Sequence, residues 1–288
     1  ERGREMKLGM VFEGGANRTV FSCGVMDVFL EEGIMPDYFI GVSAGIAYGV
    51  SYLAGQKGRN LEVIEKYIAD KRYMGVRHLF NKKEKAYYNT KFVFDEVPNE
   101  LIPFDYAAFE RYEGKVEAAV TNIHTGTAEY VEVPRGRDMR DVLVASCSLP
   151  VLFPPVKLGR HYYLDGGIAD SIPYEHAFEE GCDKLLVVLT RERGYVKTAE
   201  RAVKITNSLY RKYPKAVEAL ETRPERYNAC MEQLRELETQ GKVFVIAPED
   251  LYGVGRTETD TIKLRRLYDE GCRIAEEQMG VLRKYLAR

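Results

Sequence analysis

Apolar residues along this chain fall into two rhythms. Compact apolar runs at Lys7–Glu13, Tyr38–Val42, Lys184–Thr190 and Lys242–Ile246 have the length and β-branched content of strands buried on both faces. Between them, Thr19–Glu32 places Val20, Cys23, Gly24, Met26, Asp27 and Leu30 on one helical face and stops at Gly33. Ala44–Ala54 repeats that pattern and stops at Gly55. Strand, helix, strand, helix in this order predicts a parallel sheet covered on both sides.

The middle of the chain is less regular. Leu61–Asp70 reads as a helix, and Lys82–Lys91, rich in lysine and tyrosine, reads as an exposed loop. Val116–Thr121 and Thr127–Val133 alternate well, and the turn residues Asn122–Gly126 join them as a hairpin. Asp138–Ser146 is a short helix. Ser148–Val156 carries three prolines, which fix an extended path. His161–Leu164 is a strand running into Asp165-Gly166-Gly167, and Pro173–Glu180 is a helix with proline in its first turn. Beyond Arg191 the chain turns helical and charged: Glu200–Tyr213, Lys215–Gln240 and Asp260–Arg288 read as helices around the strand Lys242–Ile246. The expectation is a three-layer α/β/α sandwich with a mainly parallel sheet. It forms a single domain over residues 1–288, with a core at 7–190, a helical crossover at 195–240, and a last strand and helix at 242–288.

Composition narrows the function classes. A formal net charge of −2 gives no reason to expect nucleic acid as a partner. Five cysteines are scattered with no C-x-x-C pair, so neither a zinc site nor a disulfide framework is expected, and a reducing, cytoplasmic setting is the simplest reading. Glu1–Lys7 is charged and Leu8–Phe12 is too short for a signal peptide; the residues ahead of Met6 read as a start foreign to the fold. No stretch approaches the ~20 apolar residues that span a bilayer. No metal-ligand cluster is evident, and no cofactor is expected.

The chemistry concentrates in Gly41-Val42-Ser43-Ala44-Gly45, set between a strand and a helix. This is the G-x-S-x-G pattern of a nucleophile elbow, where a sharp turn exposes the serine at a helix N-terminus. Gly41 and Gly45 leave room for the bend. A serine nucleophile also needs oxyanion donors and a base. Gly14-Gly15-Ala16 follows the first strand and opens a helix, so its backbone N–H groups can converge; a simple tight turn is the alternative. Asp165, at a strand end before two glycines, is a candidate base, although Asp-Gly is also an ordinary turn pair. Of the histidines, His124 falls in a turn, His161 at a strand start and His78 in an uncertain segment. His176 would give the order Ser43, Asp165, His176, but its helix begins too soon after the Asp loop for an α/β-hydrolase triad.

Taken together, Gly14-Gly15-Ala16-Asn17-Arg18, Gly41–Gly45, the proline-rich Ala145–Val156 and Asp165-Gly166-Gly167 resemble, in type and order, the patatin-like phospholipases, the bacterial branch of the patatin lipid acyl hydrolases. The resemblance covers about Lys7–Thr190, and Val245–Pro248 with the helix through Gly271 is similar to the last strand and helix of bacterial members. It implies a Ser43–Asp165 dyad, an oxyanion hole at Gly14, Gly15 and Ala16, and supporting roles for Arg18, Gly41, Gly45, Gly166 and Gly167. It also implies a lipid ester substrate: phospholipid, lysophospholipid or acylglycerol. An acyltransferase using the same dyad and a non-catalytic lipid-binding protein are the other classes. The lysines and tyrosines of Lys82–Lys91 would suit contact with the inner membrane surface. Ala16 stands where the family has a third glycine, and Thr19 where it often has one. An alanine fits there only if its φ is negative.

Overall fold

The computed structural model describes residues 6–82, 85–150, 152–199 and 203–287. Outside them lie the charged lead at 1–5, two positions of the lysine-rich loop, one of the proline stretch, residues 200–202 at the start of the expected helix from Glu200, and the last residue.

The strands are β1 Leu8–Phe12, β2 Tyr38–Val42, β3 Lys115–Asn122, β4 Ala128–Glu132, β5 Val156–Leu158, β6 His161–Asp165, β7 Lys184–Val188 and β8 Val243–Ile246. They form one sheet in the order β5-β6-β3-β2-β1-β7-β8, with β4 paired to β3. β3, β2, β1, β7 and β8 run parallel; β4, β5 and β6 add antiparallel pairs. The helices, in chain order, are α1 Val20–Glu31, α2 Ala44–Leu53, α3 Arg59–Tyr67, α4 Tyr106–Arg111, α5 Met139–Ser146, α6 Tyr174–Glu179, α7 Val203–Leu209, α8 Pro214–Glu221, α9 Arg223–Thr239 and α10 Thr261–Ala287.

The central strands show why the sheet is covered twice. Met10, Phe12, Phe39, Leu186 and Val188 pack into one core with α1, α2 and α10. Their neighbours Val11, Tyr38, Ile40, Leu185 and Val187 pack into a second core with α6 and α9. Alternate residues of a strand point to opposite faces, so a strand apolar at every position needs two apolar layers. The three-layer, mainly parallel sandwich is the architecture the apolar runs imply.

One feature of β3 positions the site. β4 pairs with Glu117–Thr121 along one edge, and β2 pairs with Lys115–Ala119 along the other, ending at Val42. β6 takes over that second edge from Val120 onward, running the opposite way, and ends at Asp165 opposite Val120. Two strand ends therefore meet head to head on one edge, and the chain leaves each at the same spot.

Three local expectations need correction. Lys215–Gln240 is not one helix. α8 and α9 break at Thr222, because Pro224 lacks an N–H and its ring would clash with the carbonyl four residues back. Lys82–Lys91 is only partly exposed: Ala86 and Thr90 are buried, and Tyr88 stacks on Phe153 with ring centroids 5.5 Å apart. That loop packs as a wall. Phe92–Leu101, where the pattern suggests no element, winds with i→i+5 spacing, its last turn closed by Ile102 N–H donating to Val97 O at 2.8 Å.

Candidate active site

Ser43 sits between β2 and α2 at φ 55° and ψ −127°, a conformation that costs a non-glycine residue roughly 1–3 kcal/mol. The surroundings hold it there. A Cβ on Gly41 would lie 2.5 Å from Ile46 N, and one on Gly45 would lie 2.5 Å from Phe12 O, so both glycines are needed for strand, turn and helix to approach. Ser43 N–H donates to Ser146 Oγ at 2.9 Å, and Ser146 Oγ–H donates to Ala119 O at 2.7 Å. Ser146 thus ties the elbow to α5 and β3. The sequence pattern does not single it out, because a buried serine at a helix end carries no signature of its own.

Asp165 is 3% exposed. Its backbone N–H donates to Ser148 O at 2.8 Å and its carbonyl accepts from Thr121 Oγ1 at 2.8 Å. Its Oδ1 accepts from Gly167 N–H at 2.7 Å. Gly166 is required at this bend, since a Cβ there would lie 2.2 Å from Ala119 O. Burial pushes the Asp165 carboxyl above its ordinary value, against the opposing pull of the Ser43 hydroxyl, Arg223, the Gly167 N–H and Arg256. The Cys147 thiol also meets the Ser43 hydroxyl, but burial pushes that thiol far up, so it is no rival nucleophile.

The loop Gly14-Gly15-Ala16 lies against the elbow: a Cβ on Gly14 would be 2.5 Å from Val42 O and 2.7 Å from Ser43 Cβ. On its flanks Glu13 N–H donates to Val188 O and Asn17 N–H to Arg256 O. Among the described residues, the N–H groups of Gly14, Gly15 and Ala16 between them donate to no protein acceptor. The expectation of negative φ at Ala16 is overturned. Ala16 takes φ 49°, at a cost of roughly 1–2 kcal/mol for an L-residue, which places a side chain where glycine would be relaxed. The glycine at position 15 serves packing: a Cβ there would lie 2.5 Å from Thr190 Oγ1.

Arg18 is 6% exposed, and its Nε has no hydrogen-bond partner. Burial, then Arg191 and Arg256, lower its pKa to about 10. Gly167 faces Arg223, whose Nη2 would be 3.2 Å from a Cβ there. The pattern also gives no hint of Glu13, whose Oε1 accepts from Tyr227 OH at 2.8 Å and whose Oε2 accepts from Thr190 N–H at 2.7 Å.

Two hollows open at Ser43. One is an apolar cavity of about 120 Å³, with Ala47, Tyr48, Val63, Tyr73, Tyr88 and Val97 among its walls. The other is a narrow crevice of about 30 Å³ between the glycine loop, Asp165 and a set of arginines. No histidine lines either. His78, His124 and His161 are exposed. His176 stacks on Tyr130 with ring centroids 3.7 Å apart, and its Nε2 lies 2.9 Å from Glu117 Oε2. Glu117, His176 and Glu180 form a cluster of metal-ligand type, but Lys115 Nζ already bridges the two carboxylates at 3.0 and 2.8 Å. The five cysteines are free thiols, and among the described residues no helix is long and apolar enough to cross a membrane.

Comparison with known proteins agrees with this geometry. The Patatin family model, described as patatin-like phospholipase, matches residues 10–178, and a domain of unknown function, DUF6363, matches residues 213–287. The uncharacterized protein YjjU of Escherichia coli strain K12 is 26% identical over 187 residues, covering 64% of this chain and 52% of that protein. The chain thus spans about half the length of that curated relative. VipD from Legionella pneumophila aligns over 96% of this chain and 67% of its own, with 14% identity and a TM-score of 0.47. Human GIVD cytosolic phospholipase A2, in complex with a methyl gamma-linolenyl fluorophosphonate inhibitor and terbium chloride, aligns over 100% of this chain and 61% of its own, with 12% identity and a TM-score of 0.49.

Proposed function

Because the chain belongs to the patatin-like phospholipase family, we propose that it is a serine acyl hydrolase cleaving carboxylic esters of lipids, with Ser43 as nucleophile and Asp165 as base. The observation that carries this reading is the meeting of the β2 and β6 ends on one edge of β3, which puts Ser43 beside Asp165 and far from any histidine partner. Ser43 Oγ attacks the ester carbonyl as Asp165 takes its proton. The N–H groups of Gly14, Gly15 and Ala16 receive the oxyanion. Asp165 returns the proton to the leaving alcohol, and water then repeats the sequence on the acyl-enzyme, restoring Ser43. A raised carboxyl pKa makes Asp165 a stronger base than a solvated aspartate. The test is hydrolysis of p-nitrophenyl esters of increasing chain length, run beside Ser43→Ala.

That series also carries a prediction. The acyl cavity, at about 120 Å³, is below the ~150 Å³ of a cavity that holds benzene and well below the ~300–1,000 Å³ of common ligand pockets. The kcat/KM is therefore expected to peak at acyl chains of roughly four to six carbons, by comparison with that benzene-sized space. Val97→Ala, which opens the far wall, is expected to move the peak to longer chains. A wild-type optimum at palmitoyl length would show that the walls yield to the substrate.

The glycine loop separates two effects. Gly14→Ala pushes a methyl into Val42 O and Ser43 Cβ and is expected to lower kcat by about 10²–10³, the usual loss for a disturbed oxyanion donor. Gly15→Val instead strikes Thr190 and is expected to lower the melting temperature as well as activity. Labelling by a fluorophosphonate at undiminished rate in folded Gly14→Ala would remove this loop from the oxyanion site.

A further inference from the structure

The two hollows at Ser43 differ in chemistry. The acyl cavity is apolar, whereas the crevice on the other side of the serine is lined by Arg18, Arg191, Lys197, Arg223 and Arg256. Only two carboxylates, Glu13 and Asp165, line it with them. Glu13 is already engaged by Tyr227 and Thr190, and Asp165 by Gly167. The cations are held in place: Arg191 lies over the Tyr195 ring at 4.2 Å, Lys197 over Tyr227 at 5.1 Å, and Arg256 O accepts from Asn17 N–H of the glycine loop at 3.2 Å. A buried guanidinium whose Nε lacks a partner, as in Arg18, is costly unless an anion completes it.

We propose that Arg191, Lys197, Arg223 and Arg256, with Arg18, form a subsite for a terminal phosphate monoester carried on the alcohol side of the scissile ester. This rests on Ser43 being the nucleophile, which fixes the acyl side at the apolar cavity and leaves the cationic crevice to the alcohol. Four of the five residues lie beyond the 10–178 family match, and Arg223 and Arg256 lie within the 213–287 segment, so the second segment supplies the specificity. The break at Thr222 is what turns Arg223 toward Gly167. Charge and size select the ligand. Five cations against two carboxylates match a phosphate monoester, which carries a charge of about −1.5 to −2 at neutral pH. A zwitterionic diester offers a single negative charge paired with its own amine. A crevice of about 30 Å³ has room for roughly two water-sized groups, enough for phosphate oxygens and too little for a trimethylammonium head.

Calorimetric binding to Ser43→Ala protein tests this without turnover, using 1-hexanoylglycerol 3-phosphate, 1-hexanoylglycerol and 1-hexanoyl-glycero-3-phosphocholine. The monoester is expected to bind at least about 10-fold tighter than the other two, as charge-assisted bonds to several guanidinium groups allow, and to weaken as salt rises. Arg223→Gln/Arg256→Gln is expected to erase the preference, while Arg223→Lys/Arg256→Lys keeps part of it. Should the double Gln variant fail to fold, Arg191→Gln and the salt dependence decide. Inorganic phosphate is expected to displace the monoester; phosphate that binds without displacing it would place the anion at a separate effector site and overturn the proposal. Equal binding of the three ligands, or a preference surviving loss of the arginines, overturns it too. Esterase activity retained by Ser43→Ala alongside an intact monoester preference would sink the nucleophile assignment and leave the subsite standing.

Discussion

Replacing Ser43 with alanine is expected to lower ester hydrolysis by on the order of 10⁴-fold or more, the scale seen when a serine hydrolase loses its nucleophile. The fold is expected to survive. What the elbow needs from residue 43 is its backbone, whose N–H donates to Ser146 and whose carbonyl accepts from Ile46 and Ala47 at the start of α2. Alanine keeps the Cβ and adds no bulk, so the positive φ is strained to much the same degree in both proteins. The strain is retained in the wild type because it aims the hydroxyl at the junction of the two hollows and at Asp165. Steady-state hydrolysis of a short p-nitrophenyl ester and thermal melting together check the expectation. A folded variant keeping more than roughly 1% of wild-type kcat/KM would remove Ser43 from the chemistry, since losing a nucleophile leaves far less.

The parts of this site that are legible in the sequence are those set by local geometry. Gly41 and Gly45 flank the serine because neighbouring backbone comes within 2.5 Å of where their Cβ atoms would be, and a G-x-S-x-G between a buried strand and a helix reports that crowding directly. The same holds for Gly166 after Asp165. The parts that are not legible depend on pairing at a distance. Nothing in His161–Leu164 says that this strand runs against β3 on the edge that β2 leaves, yet that register brings Asp165 to Ser43. Ser146 and Glu13 act through partners far along the chain, and a buried polar residue has no periodicity to betray it. The arginines of the crevice look like the solvated charge of a helical third, because their number is ordinary and only the Pro224 break and the packing of Tyr227 on Glu13 bring Arg223 inward. Ala16 shows the opposite failure: a steric rule that holds for most alanines is overridden where the backbone is fixed from both sides by Glu13 and Asn17.

Asp165→Asn is expected to cost on the order of 10²–10⁴-fold in kcat, the usual contribution of a positioned general base, while leaving the protein at least as stable as the wild type. Both halves follow from burial. An asparagine still offers an oxygen to Gly167 N–H, which Asp165 Oδ1 accepts at 2.7 Å, but it cannot take a proton from Ser43. The folded-state pKa of Asp165 is raised above its unfolded value, so the folded protein binds that proton more tightly than the unfolded chain does. Ionising Asp165 near neutral pH therefore opposes folding, and this penalty fades as pH falls through the raised pKa. Asparagine removes the penalty at every pH, which points to a melting temperature equal to or above that of wild type at pH 7. The activity profile carries the same sign: only the ionised carboxylate is a base, so the acid limb of kcat/KM is expected above the ordinary carboxylate range. His176→Ala should do the reverse. It strips Glu117 Oε2 of one partner and Tyr130 of its stacked ring, which lowers stability by about 1–3 kcal/mol, and it leaves kcat nearly unchanged because no imidazole reaches Ser43. An inactive His176→Ala protein beside an active Asp165→Asn protein would invert the assignment and make a histidine the base.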